Sequence, residues 1–145
     1  MKCSLIIFWR VLFLSCFLKA QEYEKIYLDQ SDSTRYYFKV VPGCQAKGLL
    51  VLLPGARGTS EWPLETTKRP YLAADRGLVT VMINYQIWLC WLRDDILALL
   101  NESILDAISE HHIPFDKCVI GGFLSGGAIA LNYTELAYKD PSSSK

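Results

Sequence analysis

Apolar and polar residues form two alternating patterns along the chain from residue 48 onwards. The continuous apolar run 48–53 is typical of a strand covered on both faces in a parallel sheet, and 78–83 is predicted to be a second buried strand. Over 89–111, apolar residues at steps of three and four predict one buried helix face; they are Leu89, Leu92, Ile96, Leu99, Leu100, Ile104, Ala107 and Ile108. Alternating strands and helices of this length predict a mostly parallel sheet with right-handed crossovers.

The region before residue 48 and the connection after residue 53 differ from this pattern. Residues 23–28 and 35–41 are rich in aromatic and β-branched side chains and are separated by a polar turn, so we predict an antiparallel pair. The stretch 60–75 contains Pro63 and Pro70, which predict a broken helical connection rather than one continuous helix.

A glycine-framed turn follows the last predicted strand, at 117–120, and precedes the last predicted helix, at 128–138. The pattern Gly-x-nucleophile-x-Gly at a strand-to-helix turn presents a catalytic nucleophile in some hydrolases. A sharp turn of this kind leaves room for little more than hydrogen two residues before and after its tip. Gly122 and Gly126 supply that frame here.

Two alignments of the turn compete. With Leu124 at the tip, both flanking positions are the framing glycines, whereas with Ser125 at the tip one flank is the bulky ring of Phe123. Sterics therefore favour Leu124 at the nucleophile position, although leucine has no atom that can attack a carbonyl group, and Ser125 remains the alternative nucleophile. A third interpretation, a phosphate-binding turn, lacks the Gly-Lys-Ser/Thr ending and the dinucleotide spacing.

These motifs resemble the α/β-hydrolase superfamily, in particular secreted bacterial esterase-like members. The predicted elements match the N-terminal half of that fold, with an antiparallel hairpin, a mostly parallel sheet and helices on both faces. The turn 121–127 resembles the nucleophile elbow, and 52–58, Leu-Leu-Pro-Gly-Ala-Arg-Gly, resembles the loop that carries an oxyanion donor. The resemblance implies the N–H groups of Ala56 and Ser125 as oxyanion donors, with Gly55 allowing the ligand to approach the backbone.

The chemistry of that family needs a nucleophile, then a carboxylate, then a histidine along the chain. After the elbow this sequence has Glu135 and Asp140 but no histidine, since His111 and His112 precede the elbow at the end of a predicted helix. We expect these histidines to interact there as cations with the helix C-terminus rather than to act as a base. The resemblance therefore implies an esterase-related protein that is truncated and catalytically inactive as it stands. Two alternatives are a non-catalytic module that binds a small ester or carboxylate, and an active hydrolase that uses Ser125.

Composition sets the remaining limits. A chain of 145 residues with 51% hydrophobic and 12% aromatic residues is sufficient for one domain with a core. Fifteen basic and fifteen acidic residues give no electrostatic case for binding nucleic acid. No motif points to a metal or another cofactor. Arg57 either holds a ligand carboxylate or is an ordinary solvated loop residue.

The first twenty residues have the organisation of a secretory signal peptide. Arg10 interrupts the apolar segment, which is therefore too short for a membrane span, and Ala20 suits the position before a cleavage site. We expect residues 1–20 to be removed and the partial domain 21–145 to be exported to the periplasm or beyond, without further membrane contact. A lipoprotein anchored through Cys16 is the less favoured alternative.

The predicted strand before the elbow, at 117–120, is expected to have an unpaired edge. In the strand order of the family it lies in the middle of the sheet, next to strands that this sequence does not contain. An apolar strand with an unpaired edge pairs readily with another chain. We therefore expect self-association through 117–120.

Overall fold

The computed structural model describes residues 22–56, 58–85 and 92–139, which form a five-stranded mixed sheet between helices. The strands are β1 Tyr23–Tyr27, β2 Tyr36–Val40, β3 Gly48–Leu53, β4 Leu78–Ile83 and β5 Cys118–Gly122. Their order in the sheet is β1-β2-β4-β3-β5. β2 is antiparallel to both β1 and β4, whereas β3 is parallel to β4 and to β5. The predicted fold class, an antiparallel hairpin joined to a parallel sheet, is confirmed.

The described residues form four helices, three between strands and one after the last strand. They are α1 Trp62–Thr66, α2 Arg69–Asp75, α3 Asp94–His111 and α4 Ser125–Lys139, and a short 3-10 turn spans Phe115–Lys117. Pro63 and Pro70 lie in the first turn of α1 and α2. A first-turn proline costs no intrahelical hydrogen bond, so each proline begins a helix and the connection is broken as predicted.

The last two helices differ from their predicted limits. The prediction began one helix at residue 89, but the structure begins α3 at Asp94, and residues 86–91 lie outside the described part. The other helix, predicted from residue 128, begins three residues earlier, at Ser125. Its first turn contains Gly126 and Gly127, whose low helix propensity misled the prediction. Packing of α4 against β3 and β5 overrides that propensity.

The central strands are buried on both faces, as their continuous apolar sequences predicted. One core contains Val51 and Val81 together with residues of α3 and α4. The other contains Leu52 and Met82 together with residues of α1 and α2. Helices therefore cover both faces of the sheet. Among the residues described, no helix is long and apolar enough to cross a bilayer.

The carboxyl ends of the parallel strands carry the sequence motifs. β3 ends at Leu53, directly before the loop with Pro54 and Gly55, and β5 ends at Gly122, directly before the elbow. Because β3 and β5 are adjacent and parallel, with Leu53 opposite Gly122, both motifs meet at one edge of the sheet. Ligand sites in open α/β sheets lie at this edge.

Candidate active site

Leu124 lies at the tip of the turn between β5 and α4. Its φ of 49° falls in the left-handed region, which a side-chain-bearing residue rarely adopts. Its side chain projects into solvent, with 88% of the residue surface exposed. A strained, outward-pointing residue between a strand and a helix is the geometry that presents a nucleophile in an elbow. Leucine, however, supplies no nucleophilic atom.

The two framing glycines are required by close backbone contacts. A Cβ on Gly122 would collide with the backbone of Gly126, and a Cβ on Gly126 would collide with the carbonyl groups of Leu53 and Pro54. The N–H of Gly126 also donates to the carbonyl of Phe123 at 2.8 Å. The spacing of two residues on either side of Leu124 therefore has a direct steric cause.

The loop after β3 lies against the elbow. A Cβ built on Gly55 would be 3.1 Å from the carbonyl oxygen of Phe123 and 3.4 Å from the Cβ of Leu124. The hydroxyl of Tyr85 donates a hydrogen bond to the carbonyl of Pro54. Burial raises the pKa of Tyr85, so this hydroxyl keeps its proton and remains a donor. The hydrogen bond from Tyr85 therefore holds the loop in place. The missing side chain of Gly55 lets the loop approach Leu124 closely.

The proposed oxyanion donors belong to these two adjacent segments. Ala56 is exposed in the loop, and Ser125 is the first residue of α4. Within the described residues, neither backbone N–H donates a hydrogen bond. For Ser125 this is usual, because the first N–H groups of a helix have no partner inside the helix. Arg57, the candidate carboxylate-binding residue, lies outside the described part of the chain.

Two aromatic rings and a guanidinium group border the elbow, and they were not predicted from the sequence. The ring of Trp62 meets Phe123 edge-on, with 4.9 Å between the ring centroids. The guanidinium carbon of Arg69 lies 5.2 Å from the centroid of the same ring. Phe123 directly precedes Leu124, so α1 and α2 contribute one wall beside the tip. Only the fold brings residues 62, 69 and 123 together, because no local pattern links them.

The two histidines are remote from the elbow. His111 ends α3 and His112 follows it, whereas the elbow comes after β5 has crossed the sheet from Cys118 to Gly122. A general base must lie within hydrogen-bond reach of its nucleophile. Neither histidine meets that condition for Leu124 or Ser125.

We expected both histidines to interact as cations with the helix C-terminus, and the surroundings of His111 do not favour that charge. Burial lowers the pKa of His111, which favours its neutral form. His112 adopts a φ of 52° and donates its backbone N–H to the carbonyls of Ile108 and Ser109, so it caps α3 through its main chain.

The downstream carboxylate also lies away from the elbow. Glu135 is exposed in α4, where its Oε2 is 4.0 Å from the Nζ of Lys139 one turn later. Asp140 lies outside the described residues. The described chain therefore brings together the elbow and the loop, but neither a base nor a carboxylate partner.

Comparison with known proteins identifies the fold. No protein-family model and no curated protein matches the sequence. Among solved structures, the acetyl xylan esterase from Aspergillus awamori is similar with a TM-score of 0.63 and 16% identity, covering 79% of this chain and 48% of that one. The carboxylesterase EstE1, cloned from a metagenomic library, gives a TM-score of 0.66 at 16% identity, with coverage of 92% and 47%. An S-formylglutathione hydrolase from Agrobacterium tumefaciens gives 0.59 at 17%, with coverage of 83% and 53%.

The chain therefore has the α/β-hydrolase fold, in agreement with its strand order and its strand–elbow–helix arrangement. It spans about half the length of these three solved structures. The relatives are esterases and hydrolases by description, and at 16–17% identity the likeness carries the fold alone.

Proposed function

We propose that this chain is an esterase-related protein of the α/β-hydrolase fold that does not itself hydrolyse esters. The observation that carries the proposal is Leu124 at the tip of the elbow, framed by Gly122 and Gly126 with a φ of 49°. Acyl transfer on this fold begins with attack by the side chain at that tip. Leucine has no lone pair to donate, so the first covalent step has no nucleophile.

The remaining chemical groups support the same conclusion. Ser125 is one residue beyond the tip, where its backbone N–H serves the oxyanion. His111 and His112, the histidines of the described chain, lie at the far end of α3 and do not reach its hydroxyl to accept a proton. A serine without a base keeps only the contribution of the oxyanion donors and of binding.

Hydrolysis of p-nitrophenyl acetate tests this proposal. The protein and its Ser125→Ala variant are expected to hydrolyse the ester at the same rate. The variant Leu124→Ser is also expected to gain no turnover, because members of a triad act as a unit and one member alone recovers little. Activity that disappears in Ser125→Ala would contradict the proposal and identify Ser125 as the nucleophile.

Binding of a small ester or carboxylate is the second candidate function. It is favoured by the N–H groups of Ala56 and Ser125, which have no hydrogen-bond partner among the described residues, and by the nearby wall of Trp62, Phe123 and Arg69. Such a site offers hydrogen-bond donors, a positive charge and flat aromatic surface to one ligand. Calorimetric titration with benzoate tests it, and Arg69→Gln should weaken binding. In the control Arg76→Gln, binding should be unchanged, since Arg76 follows the last residue of α2 and donates to the carbonyl of Leu72 in that helix.

We also propose that the protein is exported after removal of residues 1–20, which lie outside the described part. Support comes from the order of an apolar segment, Ala20 and a polar start to the mature chain. The intact mass of protein recovered outside the cytoplasm should correspond to a chain that begins at Gln21. A lipid-modified chain beginning at Cys16, or the full-length chain retained inside, would contradict this proposal.

A further inference from the structure

Three polar contacts join β2 to α3 at regular intervals. Arg35, just before β2, pairs with Glu102. The hydroxyl of Tyr37 donates to the Oδ2 of Asp106 at 2.5 Å. Lys39 donates to both carboxylate oxygens of Glu110, at 2.7 and 2.6 Å. We call these three pairs, 35–102, 37–106 and 39–110, the polar zipper.

The regularity of the polar zipper follows from the two backbone repeats. Every second residue of a strand points to the same face, and two residues advance about 6.6 Å. Every fourth residue of a helix lies on nearly the same face, and four residues advance about 6 Å. Donor side chains at every second position along β2 therefore lie opposite acidic side chains at every fourth position along α3. The polar zipper binds the N-terminal hairpin to α3.

The last pair of the polar zipper joins a buried cation to a partly exposed carboxylate. Lys39 is only 1% exposed, and its Nζ is also 3.5 Å from the Oε2 of Glu24 on the neighbouring strand. A buried ammonium group is tolerated only when carboxylates compensate its charge. Glu110 supplies most of that compensation through its two hydrogen bonds with Lys39.

The imidazole of His111 lies beside this pair. Its Nε2 is 3.7 Å from the Oε2 of Glu110, the same oxygen that Lys39 holds at 2.6 Å. In the described part of the chain, this Nε2 atom is buried and has no hydrogen-bond partner. A neutral imidazole is compatible with that position. A protonated ring would require the carboxylate that Lys39 already uses.

We propose that His111 makes the joint between the hairpin and α3 sensitive to pH. When its ring gains a proton, His111 and Lys39 compete for Glu110, and the last pair of the polar zipper weakens. The N-terminal hairpin is then held to α3 by the two remaining pairs. The effect is a weaker attachment of the hairpin to α3 in mildly acidic solution.

The direction of the pH effect follows from the charges that face His111. Burial of the ring and the positive charge of Lys39 lower the pKa of His111, while Glu110 and Asp106 of α3 and Glu24 of β1 act in the opposite sense. Because the pKa is lower in the folded than in the unfolded chain, the unfolded chain binds more protons. The stabilisation is therefore complete above about pH 6.5, the ordinary histidine pKa, and is lost as the pH falls through the folded value.

Urea unfolding at pH 7.5 and pH 5.5 tests the proposal. The unfolding midpoint of the unmodified protein should be lower at pH 5.5. In His111→Gln, whose amide resembles a neutral imidazole in shape, most of this pH-dependent loss should disappear. In the matched control His112→Asn the loss should persist, because His112 is exposed and asparagine tolerates its positive φ. Equal losses in His111→Gln and in the unmodified protein would overturn the proposal.

An NMR titration of the unmodified protein gives an independent test that does not depend on a folded variant. The ring signals of His111 should titrate with a midpoint below 6.5. The backbone amides of Glu24 and Lys39 should shift with that same midpoint. Hairpin amides that stay constant while His111 titrates would show that the ring is not coupled to the polar zipper, and the proposal would be wrong.

Discussion

Leu124 is the residue whose conformation contradicts its chemistry. A left-handed φ costs a residue with a Cβ roughly 1–2 kcal/mol relative to the right-handed region. An exposed leucine gains little burial at the tip that would offset this cost. Unfavourable backbone geometry of this kind is concentrated at functional sites. The strain at Leu124 is therefore consistent with an elbow that has kept its shape while its tip carries no nucleophile.

Replacement of this residue by glycine should measure the strain directly. We expect Leu124→Gly to raise the free energy of unfolding by about 0.5–1 kcal/mol, since relief of the positive φ exceeds the entropy that glycine loses on folding. The matched control Leu105→Gly changes a half-exposed leucine inside α3 and should lower it by about 1 kcal/mol. Urea unfolding monitored by circular dichroism gives both values. A destabilised Leu124→Gly would mean that the turn is not strained.

At the scale of elements, the elbow depends on how closely α4 approaches β3. The first turn of α4 packs on the carbonyl groups at the end of β3, and Gly126 occupies the point of closest contact. Gly127, the next residue, has more room. A Cβ added to Gly127 would have the carbonyl oxygen of Gly122 as its nearest neighbour, at 3.4 Å. The two adjacent glycines therefore have different reasons to be present.

Alanine substitutions should separate these two glycines. Gly126→Ala should lower the free energy of unfolding by about 3 kcal/mol, because the added methyl group forces β3 and α4 apart. Gly127→Ala should leave it unchanged or raise it by up to about 1 kcal/mol, because alanine favours the helix. Thermal unfolding of both variants beside the unmodified protein checks this. Similar values for the two would contradict the close contact at Gly126.

The elements themselves were largely predictable, and the contacts between them were not. The strands at 48–53 and 78–83 have the predicted bounds. A strand that is apolar on both faces is stable when both faces are covered, here by the two layers of helices. The start of α4 was missed because propensity is local, whereas packing on β3 is not. The polar zipper and the wall of Trp62, Phe123 and Arg69 escaped prediction for the same reason. Their members are distant in sequence and become neighbours only once the sheet order is known.

At the scale of the whole molecule, β5 forms one side of the described sheet. It pairs with β3 alone, and the N–H of Phe123, just beyond β5, donates to Leu53 of β3. Since backbone groups alternate along a strand, those of Cys118 and Ile120 point away from β3. The side chain of Val119 is 60% exposed beside them. An apolar strand with such an edge is a site for pairing with another strand.

We propose that a second copy of the chain occupies this edge. Light scattering after size-exclusion chromatography should show a mass that rises with protein concentration. Val119→Lys should lower this mass by placing a charge at the edge, and the conservative Val119→Thr should change it less. A monomer at every concentration would contradict self-association through β5.

The central claim is that Leu124, and not Ser125, occupies the position of the nucleophile. Labelling with a fluorophosphonate probe tests it most directly, because the reagent modifies a serine whose hydroxyl is activated by a base. Mass spectrometry of the folded protein after labelling should find no adduct on Ser125, as in a heat-denatured control. A stoichiometric adduct on Ser125 that forms only in the folded protein would contradict the account and make this chain a serine hydrolase.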